Sequence, residues 1–245
     1  MDTAQLSLAS SLQALIKKQN SISNNLANLS STAFKRRVGA FEPFAIQFDK
    51  ARGETLPIPR FREYGDLSQG DIRFTNNPLH IAIQGEGFLR VRNPGNDTTN
   101  LFTRVGTLTV DPNGRLITQG GFEVLDSSLR PVTLPPGSTP RISSRGEITD
   151  ESSGTQAGTI GLWRFEDKGK LFPLGAGLFL PTAASGTPEI DRFSLIQQRN
   201  LENSNVNSLQ ELVGMISVQR HFETVARALS MIEQVNDQLN QLARG

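Results

Sequence analysis

The residues able to do chemistry are few and scattered. His80 and His221 are the only histidines, they lie far apart in sequence, and neither sits in a cluster of ligand-type residues. There is no cysteine, which excludes disulfides, thiol nucleophiles, thiolate zinc sites and iron–sulfur clusters together. Gly85-Glu86-Gly87 begins like a dinucleotide-binding loop, but Arg90 stands where the third glycine belongs and no helical period follows. Asp111 and Asn113 open like a calcium loop, yet Gly114 arrives too early and Phe122 replaces the closing glutamate. Asp150-Glu151 and Glu166-Asp167 are acidic pairs in turn settings, read as solvated loop charge rather than an acid–base couple. No Gly-x-Ser-x-Gly elbow or Walker loop occurs. Phe34-Lys35-Arg36-Arg37 and Arg60-Phe61-Arg62 mix cations with aromatics as RNA contacts do. Against that, 25 Lys and Arg nearly cancel 24 Asp and Glu, and a net charge of +1 supplies no field for nucleic acid or an acidic membrane. The expectation is a protein that is not an enzyme, with no catalytic residue, no cofactor and no metal site.

What the chain does specify is an arrangement of elements. All 13 prolines lie between Pro43 and Pro188, and all but two of the 22 glycines lie between Gly39 and Gly186. Both ends of the 245-residue chain are therefore nearly free of helix breakers, and the middle is saturated with them. Near the N-terminus, Leu8, Leu12, Leu15, Gln19, Ile22, Leu26 and Leu29 alternate in steps of four and three, and all but Gln19 are apolar. That is a narrow coiled-coil seam, and it predicts a helix over 3–31, roughly 43 Å long. Near the C-terminus, Met215, Val218, Phe222, Val225, Leu229, Ile232, Asn236, Leu239 and Ala243 repeat the device, with Asn236 as the polar member. Leu209, Leu212, Val213 and Ile216 widen the apolar face at its start. Ser208 with Glu211 fits a capping box, so this helix is expected to begin near Asn207 or Ser208. Gln19 and Asn236 are the residues expected to fix register. Bringing the ends together closes a long loop at about 4–5 kcal/mol. Burying a dozen large apolar side chains at about 1.5–3 kcal/mol each offsets that before ordering entropy is counted.

Between Gly70 and Pro188 the pattern changes to short apolar runs separated by turns. Leu79–Ile83 and Phe88–Val91 flank Gln84-Gly85-Glu86-Gly87, which reads as a hairpin connection. Thr107–Val110 and Arg115–Thr118 flank Asp111-Pro112-Asn113-Gly114, a strong turn signal. Arg141-Ile142 and Glu147-Ile148 sit either side of Ser144-Arg145-Gly146, and Thr159–Phe165 reads as one strand. The expected fold class is α+β, with the N- and C-terminal helices paired as an α-helical coiled coil around an antiparallel β-rich middle. The expected division is 1–33 with 205–245 as the terminal helical domain, 34–70 with 190–204 as a connecting extended region, and 71–189 as the β domain. Lys17, Lys18, Gln19 and Asn20 interrupt any secretory leader, and no apolar run approaches the ~20 residues of a membrane span.

Several blocks resemble one family throughout their order. Ser23-Asn24-Asn25-Leu26-Ala27-Asn28, then Ser31-Thr32-Ala33-Phe34-Lys35-Arg36 and Phe41, is similar to the N-terminal signature of bacterial flagellar axial proteins, the rod, hook and hook-associated subunits. Asn76 to Phe88, Phe102 to Gly106, Val110 to Leu116 and Phe165 to Gly186 resemble the blocks that follow, and Glu202-Asn203-Ser204-Asn205-Val206-Asn207 the C-terminal one. Asn24, Asn25, Leu26, Ala27, Asn28, Phe34, Lys35, Asn205, Val206 and Asn207 carry that signature. Ala33 stands where the family usually has glycine, which argues against a positive-φ turn and for a helix that runs on further.

The resemblance implies a structural subunit of the flagellar basal-body rod, meeting copies of itself and neighbouring rod proteins, with no nucleic acid and no membrane insertion. It also implies exit through the flagellar type III export apparatus without a cleaved signal peptide. Terminal helices would line the inner tube of a drive shaft and export channel, with the β domain outside and the Asn24–Asn28 box at helix-end contacts. Phe34 and Val38 are read as core packing. Within the family, the short stretch Phe41–Leu67 favours a proximal rod position over a distal one. The rival class is an oligomeric surface adhesin.

Overall fold

The computed structural model describes residues 3–49, 54–135, 137–151 and 153–242. The chain forms two compact units, one from its two ends with Arg37–Tyr64, the other from Asn28–Arg36 with Gly65–Val206.

In the first unit, helix α1 spans Thr3–Ala27 and helix α2 spans Ser208–Leu242. Strands β1 (Arg37–Asp49) and β2 (Glu54–Gly65) pair as a two-stranded sheet, with Phe41 tilted on Phe61 at 5.6 Å. The start of α2 falls where the sequence places it, but its cap is a different residue. Asn207 Oδ1 accepts from the N–H groups of Leu209 (3.1 Å) and Gln210 (3.2 Å). Glu211, the expected partner in a capping box, is instead buried with its carboxylate on Asn25.

The coiled coil expected of the two ends is not what forms. The helices meet in one compact cluster, where Leu15, Ile22 and Val218 are buried and Leu26, Met215 and Val225 pack against them. Knobs-into-holes packing has to continue over several heptads, and here it stops. α1 ends at Ala27, so Leu29 leaves the stripe, and the 35 residues of α2 outrun the 25 of α1. Phe222 is exposed on α2, as are Met231 and Val235 beyond it. A three–four alternation marks which side chains share a face, and carries no information on how far a partner extends along it. The α+β class stands, with two long helices and an antiparallel β-rich middle.

The helix expected to run through Ala33 stops six residues earlier. Ser31 N–H and Oγ return to Asn28 O and Oδ1, both at 3.1 Å, and close a turn. Ala33 itself adopts φ +53°. Its N–H donates to Glu202 O at 2.8 Å and its methyl is buried, so the second unit over-determines a conformation that alanine disfavours.

The second unit is built on a nine-stranded sheet that reads as two columns of residues. Along Phe88–Asn93, Leu89 and Val91 enter an aliphatic core with Ile81, Ile83 and Ile148. Phe88, on the opposite face, joins Phe102, Trp163, Phe165 and Phe179 in an aromatic core, where Phe102 meets Phe165 edge-on at 4.8 Å. Turns form where the sequence marks them. Asp111 Oδ1 takes the N–H groups of Asn113 (2.8 Å) and Arg115 (2.7 Å), and Leu108–Val110 pairs with Leu116–Thr118.

Two local expectations fail. Ile81–Gln84 does not form a hairpin with Phe88–Asn93; it pairs with Leu195–Gln198, while Phe88–Asn93 pairs with Asn96–Thr103. The wedge is Arg104, whose guanidinium donates to Ile83 O (3.1 Å), Gly85 O and Gly87 O (both 2.9 Å) and so occupies the inside of the turn. The single strand expected over Thr159–Phe165 is two, Gln156–Thr159 and Leu162–Arg164. They part at Gly161, where a Cβ would lie 2.8 Å from the Ser127 nitrogen, so only glycine lets the backbones approach.

Candidate functional site

The expected packing residues divide sharply by environment. Leu15, Ile22 and Val218 are buried together, Leu26, Met215 and Val225 are half-buried beside them, and Leu8, Leu12, Leu229 and Ile232 are half-buried. Leu29 and Phe222 are exposed, and the side chains of Asn236 and Leu239 lie outside the described ones. On α2 a further apolar face stands open to solvent, with Leu209 69% exposed and Leu212, Val213 and Ile216 each about half exposed.

The signature asparagines do a different job from the apolar stripe. Asn25 is 1% exposed and makes three hydrogen bonds. Its Nδ2 donates to Arg37 O (2.8 Å) and Glu211 Oε2 (3.2 Å), and its Oδ1 accepts from Arg37 N (2.8 Å). A helix side chain thus satisfies both main-chain groups of the residue that opens β1. Asn24 is half-buried, Ala27 is exposed, and Asn28 ends the helix through Ser31.

In the second unit, Asn205 works in the same way on another segment. Its Oδ1 accepts from Arg36 N at 2.7 Å, and its Nδ2 donates to Asp66 O (2.9 Å) and Ser68 O (3.1 Å). Phe34 is half-buried and Val206 buried, while Asn207 serves as the helix cap. Lys35 is buried in an ion cluster that spacing alone does not announce. Its Nζ lies 2.6 Å from Glu202 Oε1 and donates to Ser68 O at 2.6 Å, while Arg104 Nε donates to Glu202 Oε2 at 3.1 Å. Gly70 N–H adds a bond to Glu202 Oε1 at 2.9 Å. Two cations share one buried carboxylate, a costly arrangement that the bonds from Gly70 N–H to Glu202 and from Lys35 and Arg104 to main-chain carbonyls offset. Burial pulls the Lys35 ammonium below its ordinary pKa, with Arg104 acting the same way and Glu202 opposing. Burial pushes the neighbouring Asp66 carboxyl up, but the hydrogen bonds from Ser68, with Arg36 and Lys35 nearby, outweigh it and hold the carboxyl below the usual range.

Glu202, Arg104 and Glu211 stand in blocks that the sequence singles out, but their buried roles, the shared carboxylate, its second cation and the partner of Asn25, are not legible there. The available signal is a charged residue set among small or apolar neighbours, as Arg104 is between Thr103 and Val105-Gly106.

The chemistry considered in the sequence finds structural explanations. His80 Nδ1 lies 2.9 Å from Thr75 Oγ1 and its Nε2 lies 3.3 Å from Asn77 Nδ2. An amide nitrogen only donates, so Nε2 accepts and the proton sits on Nδ1 of a neutral ring. Burial, with Arg73 nearby, lowers its pKa in keeping with that. Among the described residues no three His, Asp or Glu side chains converge as a metal requires, and no helix is long and apolar enough to cross a membrane.

Comparison with known proteins places this architecture. The model of the flagellar basal body rod FlgEFG protein C-terminal region matches residues 197–242, and that of the flagellar hook protein FlgE/F/G D1 domain matches residues 82–150. The chain is 31% identical to flagellar basal-body rod protein FlgG of Buchnera aphidicola subsp. Schizaphis graminum over 247 aligned residues, covering 91% of this chain and 93% of that protein. It is 29% identical to flagellar basal-body rod protein FlgF of Rhizobium meliloti over 231 aligned residues, covering 92% of this chain and 91% of that protein.

Proposed function

This chain belongs to the flagellar basal-body rod protein family and is a structural subunit of the rod, and we propose that it builds the proximal segment by meeting copies of itself and neighbouring rod proteins through its terminal unit. The family is structural rather than enzymatic, and its place is the basal body.

The observation that carries the assembly reading is the open apolar face of α2. Leu209, Leu212, Val213 and Ile216 form one solvent-facing patch at the start of a helix whose other side is already packed on α1. Such side chains contribute about 1.5–3 kcal/mol each when fully covered, so neighbours that cover them supply a strong driving force for assembly. In this reading the Asn25 and Asn205 brackets hold the terminal and connecting segments in the shape that neighbours meet. Residues 34–70 with 190–204 connect the helical part to the β part at 71–189. In this reading the subunit passes through the flagellar export apparatus before it assembles.

The family resemblance takes FlgF as the proximal and FlgG as the distal rod protein, and alignment length supports the proximal position. The alignment to FlgG of Buchnera needs 247 positions for 91% of this chain, whereas that to FlgF of Rhizobium meliloti needs only 231 for 92%, so the FlgG relative carries residues this chain lacks. The distal position is the second reading, favoured by the slightly higher identity, 31% against 29%. Replacing Leu212 and Ile216 with Asp tests the role of the helix face. Loss of the subunit from purified basal bodies, with the far-UV spectrum unchanged, is the expected result; full incorporation overturns it. The height at which a tagged chain appears along purified rods separates proximal from distal.

A further inference from the structure

We propose that the β unit of one copy docks on that of the next through a knob at Phe193 and a cation-rimmed cleft beside it, an inference that rests on the chain being a rod subunit that meets its own copies. Phe193 is the most exposed large apolar side chain among the described residues, at 81%. It is not floppy by construction. Asp191 Oδ1 accepts from Phe193 N (2.8 Å) and Ser194 N (3.2 Å), and Ser194 Oγ accepts from Gly87 N at 2.9 Å, so the backbone beneath it is pinned. Around the ring acids outnumber bases, with Glu86 paired to Lys168, Glu189 to Arg164, and Glu166 in no ion pair among the described residues. Glu166, Glu189 and Glu86 line the same cleft of about 660 Å³, with Arg164 stacked on the ring at 5.5 Å and paired to Glu189 at 2.9 Å.

A second cleft of about 440 Å³ shares Asp191 and Ser194 with the first. Leu162, Ile160 and Ile190 give it an apolar floor, and Arg145 and Arg192 stand on its rim. Neither arginine has an ion-pair partner among the described residues, whereas Arg164 beside the ring has one in Glu189. Arg145 is also held in place. It tips a turn in which Ile160 N donates to Gly146 O at 2.7 Å and Ile196 N donates to Ser144 O at 2.9 Å. One molecule therefore presents an acid-flanked aromatic knob and an apolar hole flanked by two unmatched cations. Matching charge and matching polarity identify a second copy as the occupant: Phe193 enters the hole, and Glu166 and Glu189 face Arg145 and Arg192.

The chain has no cysteine, so introduced pairs report without background. Thr159 also lines the second cleft, and Phe193→Cys combined with Thr159→Cys in the full chain is expected to give a ladder of oxidised multimers from purified basal bodies on non-reducing gels, with neither single variant giving one. If the doubly substituted chain is present in basal bodies and no ladder forms, the contact is overturned and the rod reading stands. If the wild-type chain itself is absent from basal bodies, it is the rod reading that fails. A second measurement covers a cysteine variant that does not assemble. Arg145→Glu with Arg192→Glu, and separately Glu166→Lys with Glu189→Lys, are each expected to lower incorporation about tenfold or more, and co-expression of the two reversed chains to restore it. Unchanged incorporation of either, or no recovery in the mixture, overturns the contact.

Discussion

Asn25 binds Arg37 as a neighbouring strand would, giving one hydrogen bond to its carbonyl and taking one from its amide, both at 2.8 Å. The side chain of a helix thereby fixes where β1 begins. Asn25→Ala leaves the Arg37 amide and carbonyl and the buried Glu211 carboxylate short of partners, which costs about 1–3 kcal/mol. The midpoint of thermal unfolding is expected to fall, and the Arg37 amide to exchange much faster than in the parent. Unchanged exchange at Arg37 excludes the bracket role.

The ion cluster predicts an asymmetric response to its members. Glu202→Gln strands Lys35 and Arg104 as buried cations, and a loss of about 3–5 kcal/mol is expected. Lys35→Met removes the surplus cation while the Arg104 pair remains, so it is expected to cost clearly less. Urea unfolding of the two variants checks the order, and the reverse order contradicts the cluster as described.

At position 33 the expectation runs toward greater stability. Alanine at φ +53° pays about 1–2 kcal/mol for its left-handed backbone, and glycine does not. Part of that gain is lost to the more flexible unfolded chain, so Ala33→Gly is expected to stabilise by roughly 0.5–1 kcal/mol. Ala33→Val is expected to destabilise, because a β-branched residue fits neither the conformation nor the buried site.

Acid stability carries the mark of Asp66. Its folded pKa is lowered from 3.8, so its contribution is complete above that value and is lost as pH falls through the lower folded pKa. The parent should lose stability more steeply than Asp66→Asn as pH drops below 3.8. Parallel acid limbs in the two proteins contradict this assignment.

Much of the fold is written in local signals. The scarcity of Gly and Pro at the ends marks α1 and α2, and the Asp111 turn follows from one carboxylate serving two amides. What stays hidden is set by partners distant in sequence. Arg104 splits the Gln84–Gly87 connection from outside it, and Glu202 holds Ala33 against its own preference. The extent of helix pairing is hidden for the same reason: a stripe names a face but not what covers it, and on α2 Leu209, Leu212, Val213 and Ile216 stay largely exposed among the described residues. The asparagines were legible as residues of note, while their targets were not, because main-chain groups have no sequence signature.

The alternation along Phe88–Asn93 sets a rule for change in this protein. A slip or insertion of a single residue would send Leu89 and Val91 among the rings and Phe88 among the aliphatic side chains, exchanging the contents of two chambers of different shape. Length can vary at the turns but not inside that strand, so the sheet acts as a ruler against which every neighbouring strand is measured.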